Sequence, residues 1–201
     1  MTRAAFRPLC FDLATKTGWA CHDGARPVCG LWELDAPYGN ARPAKIDSFS
    51  RRLTLAVKEH EPTVIAAESP IVPWGAGKVK VDMNALLLSW GLFTHLELAC
   101  RRLALPFRPI VTSEIKKAAT GHGARWKDAE GNWHKPDKAM VLEGMKARYP
   151  ELEIATHDVA DALGILTLLM AEHRAGHRVT NPALVVPTRG RRVRGRRPTA
   201  A

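Results

Sequence analysis

The sequence predicts an α/β domain in which helices flank a mixed five-stranded sheet. Three observations carry this reading. Short apolar runs joined by turn dipeptides fill residues 8 to 34, strand and helix patterns alternate from 44 to 110, and helical spacing dominates from 113 to 174. Antiparallel strands followed by strand-helix-strand units describe a mixed sheet.

Residues 8 to 13 read as a short buried strand, and 18 to 22 and 28 to 34 follow it across Asp23-Gly24 and Arg26-Pro27, giving a meander. Ile46, Phe49, Leu53, Ala56 and Val57 recur at helical spacing over 44 to 60, and Glu61-Pro62 stops that helix before a strand at 63 to 67. A loop containing Pro70, Pro73, Gly75 and Gly77 leads to a long apolar helix over 82 to 104 and a further strand over 106 to 110. Ser113 is expected to cap a short helix. Residues 121 to 136 are rich in Gly, Trp and charge and lack periodicity, and helices return over 137 to 148 and 157 to 174.

With 201 residues and 46% apolar content, the chain suits one globular domain, here 1 to 178, followed by a basic arm over 179 to 201. The net charge of +10 points to a polyanionic partner, nucleic acid above all. Six arginines (Arg189, Arg191, Arg192, Arg194, Arg196 and Arg197) supply much of it, and without them the body keeps +4. Gly190, Gly195 and Pro198 oppose helix there, so the segment reads as a disordered arm for phosphate contact, with a merely solubilising tail as the competing reading. Cys10, Cys21, Cys29 and Cys100 form no CxxC pair and are expected to be reduced thiols, and Cys21, His22 and Cys29 lack the spacing of a zinc site. No apolar run reaches the ~18 residues of a membrane helix and no signal peptide is evident, so a cytoplasmic protein is expected.

Acids interrupt this pattern at telling places. Asp12 ends the first strand, and Glu68 directly follows the apolar Val64-Ile65-Ala66-Ala67. Asp158 and Asp161 stand three residues apart, on one face near the start of the last helix, while Val159, Ala162, Leu163, Ile165 and Leu166 supply its packing face. Taken singly, each has an ordinary explanation as a turn cap, ion-pair partner or helix N-cap. Four together would repel by roughly 4 kcal/mol per neighbouring pair at about 4 Å and an effective dielectric of about 20, so bound cations are needed. Hard oxygen donors suit Mg²⁺ or Mn²⁺, and two such ions about 3.5 to 4 Å apart serve phosphodiester hydrolysis.

The stretches FDLATKTGWA (11 to 20), VIAAESP (64 to 70) and HDVADALGI (157 to 165) resemble the RuvC family of Holliday junction resolvases, in the ribonuclease H-like superfamily. The resemblance implies Asp12, Glu68, Asp158 and Asp161 as catalytic metal ligands, in the family's manner with two ions per site, and a homodimer that nicks four-way junctions in pairs. SEIKKAATGHG (113 to 123) and PDKAMV (136 to 141) look like the family's basic segments, which implies Lys116 and Lys138 beside the scissile phosphate, with Lys117 competing with Lys116. Ala14 replaces a usual Gly, Ser69-Pro70-Ile71 stands where the family has a stacking aromatic, and ARWKDAEGNWHK is inserted after Gly123.

Trp74, in a loop with Lys78 and Lys80, could supply stacking on DNA, or simply pack on the domain. Met83, Leu86, Leu87, Leu88, Trp90, Leu92, Phe93, Leu96 and Leu98 give the long helix more apolar surface than one sheet face needs, which fits the dimer helix that the resemblance implies. Three other readings stay open: a flap or general branched-DNA endonuclease, a catalytically silent junction-binding protein, and a sugar-kinase or actin-like ATPase. The last needs a duplicated domain and a longer chain.

Overall fold

Two central strands buried on both faces set the architecture. The computed structural model describes residues 5–34, 41–70, 82–177 and 179. Its elements are β1 (Pro8–Asp12), β2 (Lys16–His22), β3 (Pro27–Glu33), α1 (Arg42–His60), β4 (Val64–Glu68), α2 (Met83–Arg102), β5 (Phe107–Ile110), α3 (Thr112–Thr120), β6 (Trp126–Lys127), β7 (Trp133–His134), α4 (Lys138–Arg148) and α5 (His157–Arg174). The main sheet has the order β3-β2-β1-β4-β5, antiparallel across β3, β2 and β1 and parallel across β1, β4 and β5.

Side chains alternate between the two faces of a strand, so each face gathers its own core. Leu9, Phe11, Ile65 and Ala67 pack with Phe49 and Leu53 of α1 and with Leu88, Leu92 and Leu96 of α2. Cys10, Ala20, Val64 and Ala66 pack on the opposite face with Ile115 of α3, Val141 and Met145 of α4, and Leu163 and Leu166 of α5. This parity has a consequence for the acids. Asp12 shares the side of Cys10, and Glu68 the side of Ala66, so both belong to the face that α5 covers.

The last helix is buried more widely than its sequence pattern indicates. Ala160, Gly164, Thr167 and Leu169 join the expected packing residues, because α3 and α4 flank α5 while the sheet lies beneath it. Close backbone approaches make this possible. A Cβ on Gly164 would come within 2.8 Å of Ile115, and one on Gly144 within 2.4 Å of the Ala119 carbonyl oxygen.

Two local expectations are corrected. Ser113 is not the cap of the short helix: α3 begins at Thr112, and the Glu114 carboxylate reaches back to accept the Val111 N–H at 3.1 Å. The aperiodic stretch 121 to 136 contains a hairpin, β6 paired with β7, which period counting misses because each strand has two residues. No helix among the described residues is long and apolar enough to cross a membrane. Trp74, Lys78, Lys80 and the six arginines of the basic arm lie outside the described residues.

Gly18 is the tightest joint between sheet and helix. A Cβ there would lie 2.0 Å from the Asp158 carbonyl oxygen, and that neighbour is backbone, which cannot swing aside. We predict that Gly18→Ala lowers stability by roughly 3 kcal/mol, at the upper end for single substitutions. Urea unfolding checks it, and a loss below about 0.5 kcal/mol, as for an ordinary surface change, would contradict this docking.

Candidate active site

Strand register brings the first two acids together. Phe11 is level with Ala67 across the parallel β1–β4 pair, so Asp12 and Glu68 are the next residues on neighbouring strands. Such strands run about 4.8 Å apart. On the other side Asp12 pairs with Gly18, whose missing side chain lets the first turn of α5 descend beside it. Asp158 therefore arrives at Asp12 by backbone contact with the sheet, and Asp161 follows one turn later on the same helix face.

The turn after Asp12 is held internally. The buried Thr17 hydroxyl donates to the Ala14 carbonyl at 2.7 Å, Leu34 N–H donates to Thr15 at 2.9 Å, and Ser89 of α2 donates to the Leu13 carbonyl at 3.1 Å. The Thr112 hydroxyl donates to Glu68 Oε1, orienting that carboxylate from the first residue of α3. At the start of α5, Thr156 caps the helix by accepting the Val159 N–H at 3.3 Å, and a helix N-terminus favours an anion such as Asp158 in its first turn.

Asp12, Glu68 and Asp158 line a cleft of about 260 Å³ together with Leu13, Ala14, Ser69, Pro70, Ser89 and Lys138. A larger cleft of about 780 Å³ between α1 and α2 is lined by Arg42, Pro43, Ile46, Asp47, Ser50 and His95. It has one acid rather than several, so the smaller cleft is the place for acid-dependent chemistry.

Electrostatics tie the four acids into one group. Burial and then the charges of Glu68, Asp161 and Asp158 push the Asp12 carboxyl well above its ordinary value. Burial likewise raises Glu68, against the Thr112 hydrogen bond and the charges of Lys138 and Lys116. Asp161 is pushed up to about 6 by burial and then by Glu68, with Asp158 adding to the rise and Lys138 and His157 opposing it. Asp12, Glu68 and Asp161 are each less willing to ionise than a free carboxyl, and a bound cation would reverse that.

The lysines separate. Lys138 acts on Asp12, Glu68 and Asp161, and Lys116 acts on Glu68. Lys117 instead lies against the turn at Gly123. Lys138 opens α4, where Asp137 caps the helix by accepting the Met140 N–H at 2.8 Å, and its carbonyl oxygen lies 3.2 Å from His157 Nδ1 at the start of α5. That contact joins the two helix ends that face the acids.

The donor set fits a hard divalent cation, being carboxylates half-buried beside lysines. The acids stand within range of one another's charge but short of a closed ligand shell: among the described residues, no three His, Cys, Asp or Glu side chains are gathered closely enough to share one ion as they stand. Side-chain rotation over fixed backbones would have to complete the shell.

Gly18 and Thr112 were missed at the sequence level. Thr112 stands two residues past the end of β5, close to where Glu68 ends the neighbouring β4, and a polar residue beside a strand end is the signal that could have found it. Gly18 is legible only through its register with Asp12.

No family model matches this chain, and no curated protein does. Solved structures do match. A Thermus thermophilus RuvC structure aligns with a TM-score of 0.61 at 15% identity over 85% of this chain and 97% of that one. T. thermophilus RuvC in complex with a Holliday junction substrate aligns with a TM-score of 0.62 at 11% identity over 85% of this chain and 96% of that one. The fold is that of these RuvC structures, an α/β mixed five-stranded sheet flanked by helices.

Asp161 makes the site sensitive to pH. Its folded-state value lies above the ordinary 3.8, so the stability it contributes is present below that value and is lost as pH rises toward about 6. Without divalent ions, the wild type should lose thermal stability across this window more steeply than Asp161→Asn. Melting curves measured in chelator check it, and parallel profiles for the two proteins would contradict the shift.

Proposed function

We propose that this protein is a metal-dependent endonuclease that hydrolyses phosphodiester bonds in Holliday junctions or related branched DNA. The observation that carries the reading is the gathering of Asp12, Glu68 and Asp158 on one cleft beside Lys138, with Asp161 one turn further along α5, where burial and neighbouring acids raise Asp12 and Asp161. Half-buried carboxylates within range of one another's charge destabilise a fold unless something neutralises them. The RuvC-like fold supports the same reading.

In this reading Asp12, Glu68, Asp158 and Asp161 hold Mg²⁺ or Mn²⁺, two ions per site. Bound there, such ions would polarise the phosphodiester and lower the pKa of a water so that its hydroxide could attack. The remaining work belongs to the chain itself. Thr112 holds Glu68 in a fixed orientation. Lys116 and Lys138 offset phosphate charge as it approaches the acids, and the start of α5 presents its backbone dipole to the same anion. Leu13, Ala14 and Pro70 line the apolar part of the same cleft.

Paired nicks need two sites. Leu88, Leu92, Leu96 and Cys100 of α2 are buried in the sheet-facing core, while Met83, Leu87, Trp90 and Leu98 form an exposed stripe on the opposite side of the same helix. An apolar stripe of this kind suits a second copy of the chain, giving a homodimer. Sedimentation velocity at micromolar concentration should show a dimer, with Leu87→Arg shifting it to monomer. A wild type that sediments as a monomer would remove the paired-nick model and leave single-site cleavage standing.

The deciding experiment is cleavage of synthetic four-way junctions, flaps and linear duplexes in Mg²⁺ or Mn²⁺. The wild type should cut the branched substrates and stop in chelator. Asp12→Asn should slow cutting on the order of 10²-fold or more, the scale of losing one preorganised electrostatic contact. Equal cutting by wild type and Asp12→Asn, or no cutting of any branched substrate, would overturn the proposal.

A further inference from the structure

Residues 121 to 136 join α3, which carries Lys116, to α4, which begins at Lys138, so the β6–β7 hairpin is rooted between two helices that face the acids. Its pairs are Trp126 with His134 and Lys127 with Trp133. Alternation therefore gives it two unlike faces.

The first face is packed. Trp126 stacks on His122 with ring centroids 4.1 Å apart and on His134 at 5.3 Å. The connecting turn is braced as well, since the Asp128 carboxylate accepts the Asn132 N–H at 2.7 Å and lies 2.6 Å from His134 Nε2. A two-residue ladder is weak alone, and these contacts hold it in shape.

The second face is open. Lys127 Nζ sits 5.1 Å from the centre of the Trp133 ring, and Trp133 is 66% exposed, the largest value among the exposed large hydrophobics. A packing role would bury this indole, and here the packing is done by its neighbour Trp126. Around Trp133 the exposed charges are mainly positive: Arg125, Lys127 and Lys135, opposed by Glu130 at the tip.

We propose that the open face of this hairpin is a nucleobase-binding site, in which Trp133 stacks on an unpaired or unstacked base at a DNA branch point while Lys127 offsets the adjoining phosphate. The proposal deepens the nuclease reading and rests on it for the identity of the polyanion. Lys127 takes one face of the indole and leaves the other for a base. In continuous duplex both faces of every base are covered by its neighbours, so a protein aromatic gains a base face only where stacking is broken. The site would thus recognise branching rather than sequence.

The test uses the full chain in chelator, so that binding is read apart from cleavage. The probes are a four-way junction carrying 2-aminopurine at the branch point and a linear duplex of matching sequence. The wild type should bind the junction more tightly than the duplex and quench the 2-aminopurine. Trp133→Ala should weaken junction binding roughly tenfold, leave duplex binding unchanged and relieve the quenching, a loss within what one stacked base contributes. Trp133→Phe, which keeps an aromatic face and the hairpin, should retain most of the affinity. Unchanged junction binding by Trp133→Ala, equal losses on junction and duplex, or no quenching by the wild type would each overturn the proposal. Absence of cleavage in Mg²⁺ with the junction-selective loss intact would overturn the nuclease reading alone.

Discussion

The constraint on which the rest of this structure depends is the gathering of like charges at the end of a sheet. Asp12 and Glu68 occupy adjacent strand ends of the same parity, and α5 is pressed against the sheet at Gly18 so that Asp158 and Asp161 come within range of their charge. None of these carboxylates gains stability from the others, and burial raises the cost. The apolar packing on both sheet faces is what keeps the arrangement in place. Each fully buried aliphatic or aromatic side chain contributes about 1.5 to 3 kcal/mol, enough in aggregate to hold a strained electrostatic cluster.

The two faces divide the labour. The α1–α2 side is a core of large side chains, Phe11, Phe49, Leu92 and Leu96 among them, and lies behind the acids. On the opposite side, α3, α4 and α5 approach one another through Gly144 and Gly164, which brings their N-terminal ends to the same edge. Those ends carry Thr112, Lys138 and Asp158 respectively. Function on this scaffold is concentrated where three helices start and two strands stop, and the hairpin between α3 and α4 extends from that same edge.

The order and type of the main elements could be read from the chain because their patterns are strong: unbroken apolar runs in the central strands, and apolar spacing of three and four in α1, α2 and α5. The hairpin could not, since strands of two residues have no period. The sequence points to Ser113 as the cap of α3 because a hydroxyl near a helix start normally serves the backbone. Here Glu114 does that, which leaves Thr112 free to hold Glu68.

By itself, then, the sequence determined which acids interrupt apolar segments, which strands and helices carry them, and that the chain is strongly basic. Those properties are local, written in single residues and short repeats. Only the tertiary structure decided that Asp12, Glu68, Asp158 and Asp161 feel one another's charge, that Lys116 rather than Lys117 acts on Glu68, and that Trp126 is packed while Trp133 is left open. These outcomes depend on strand register, helix rotation and backbone approach between segments up to about 150 residues apart in sequence, distances at which no local pattern specifies which side chains meet.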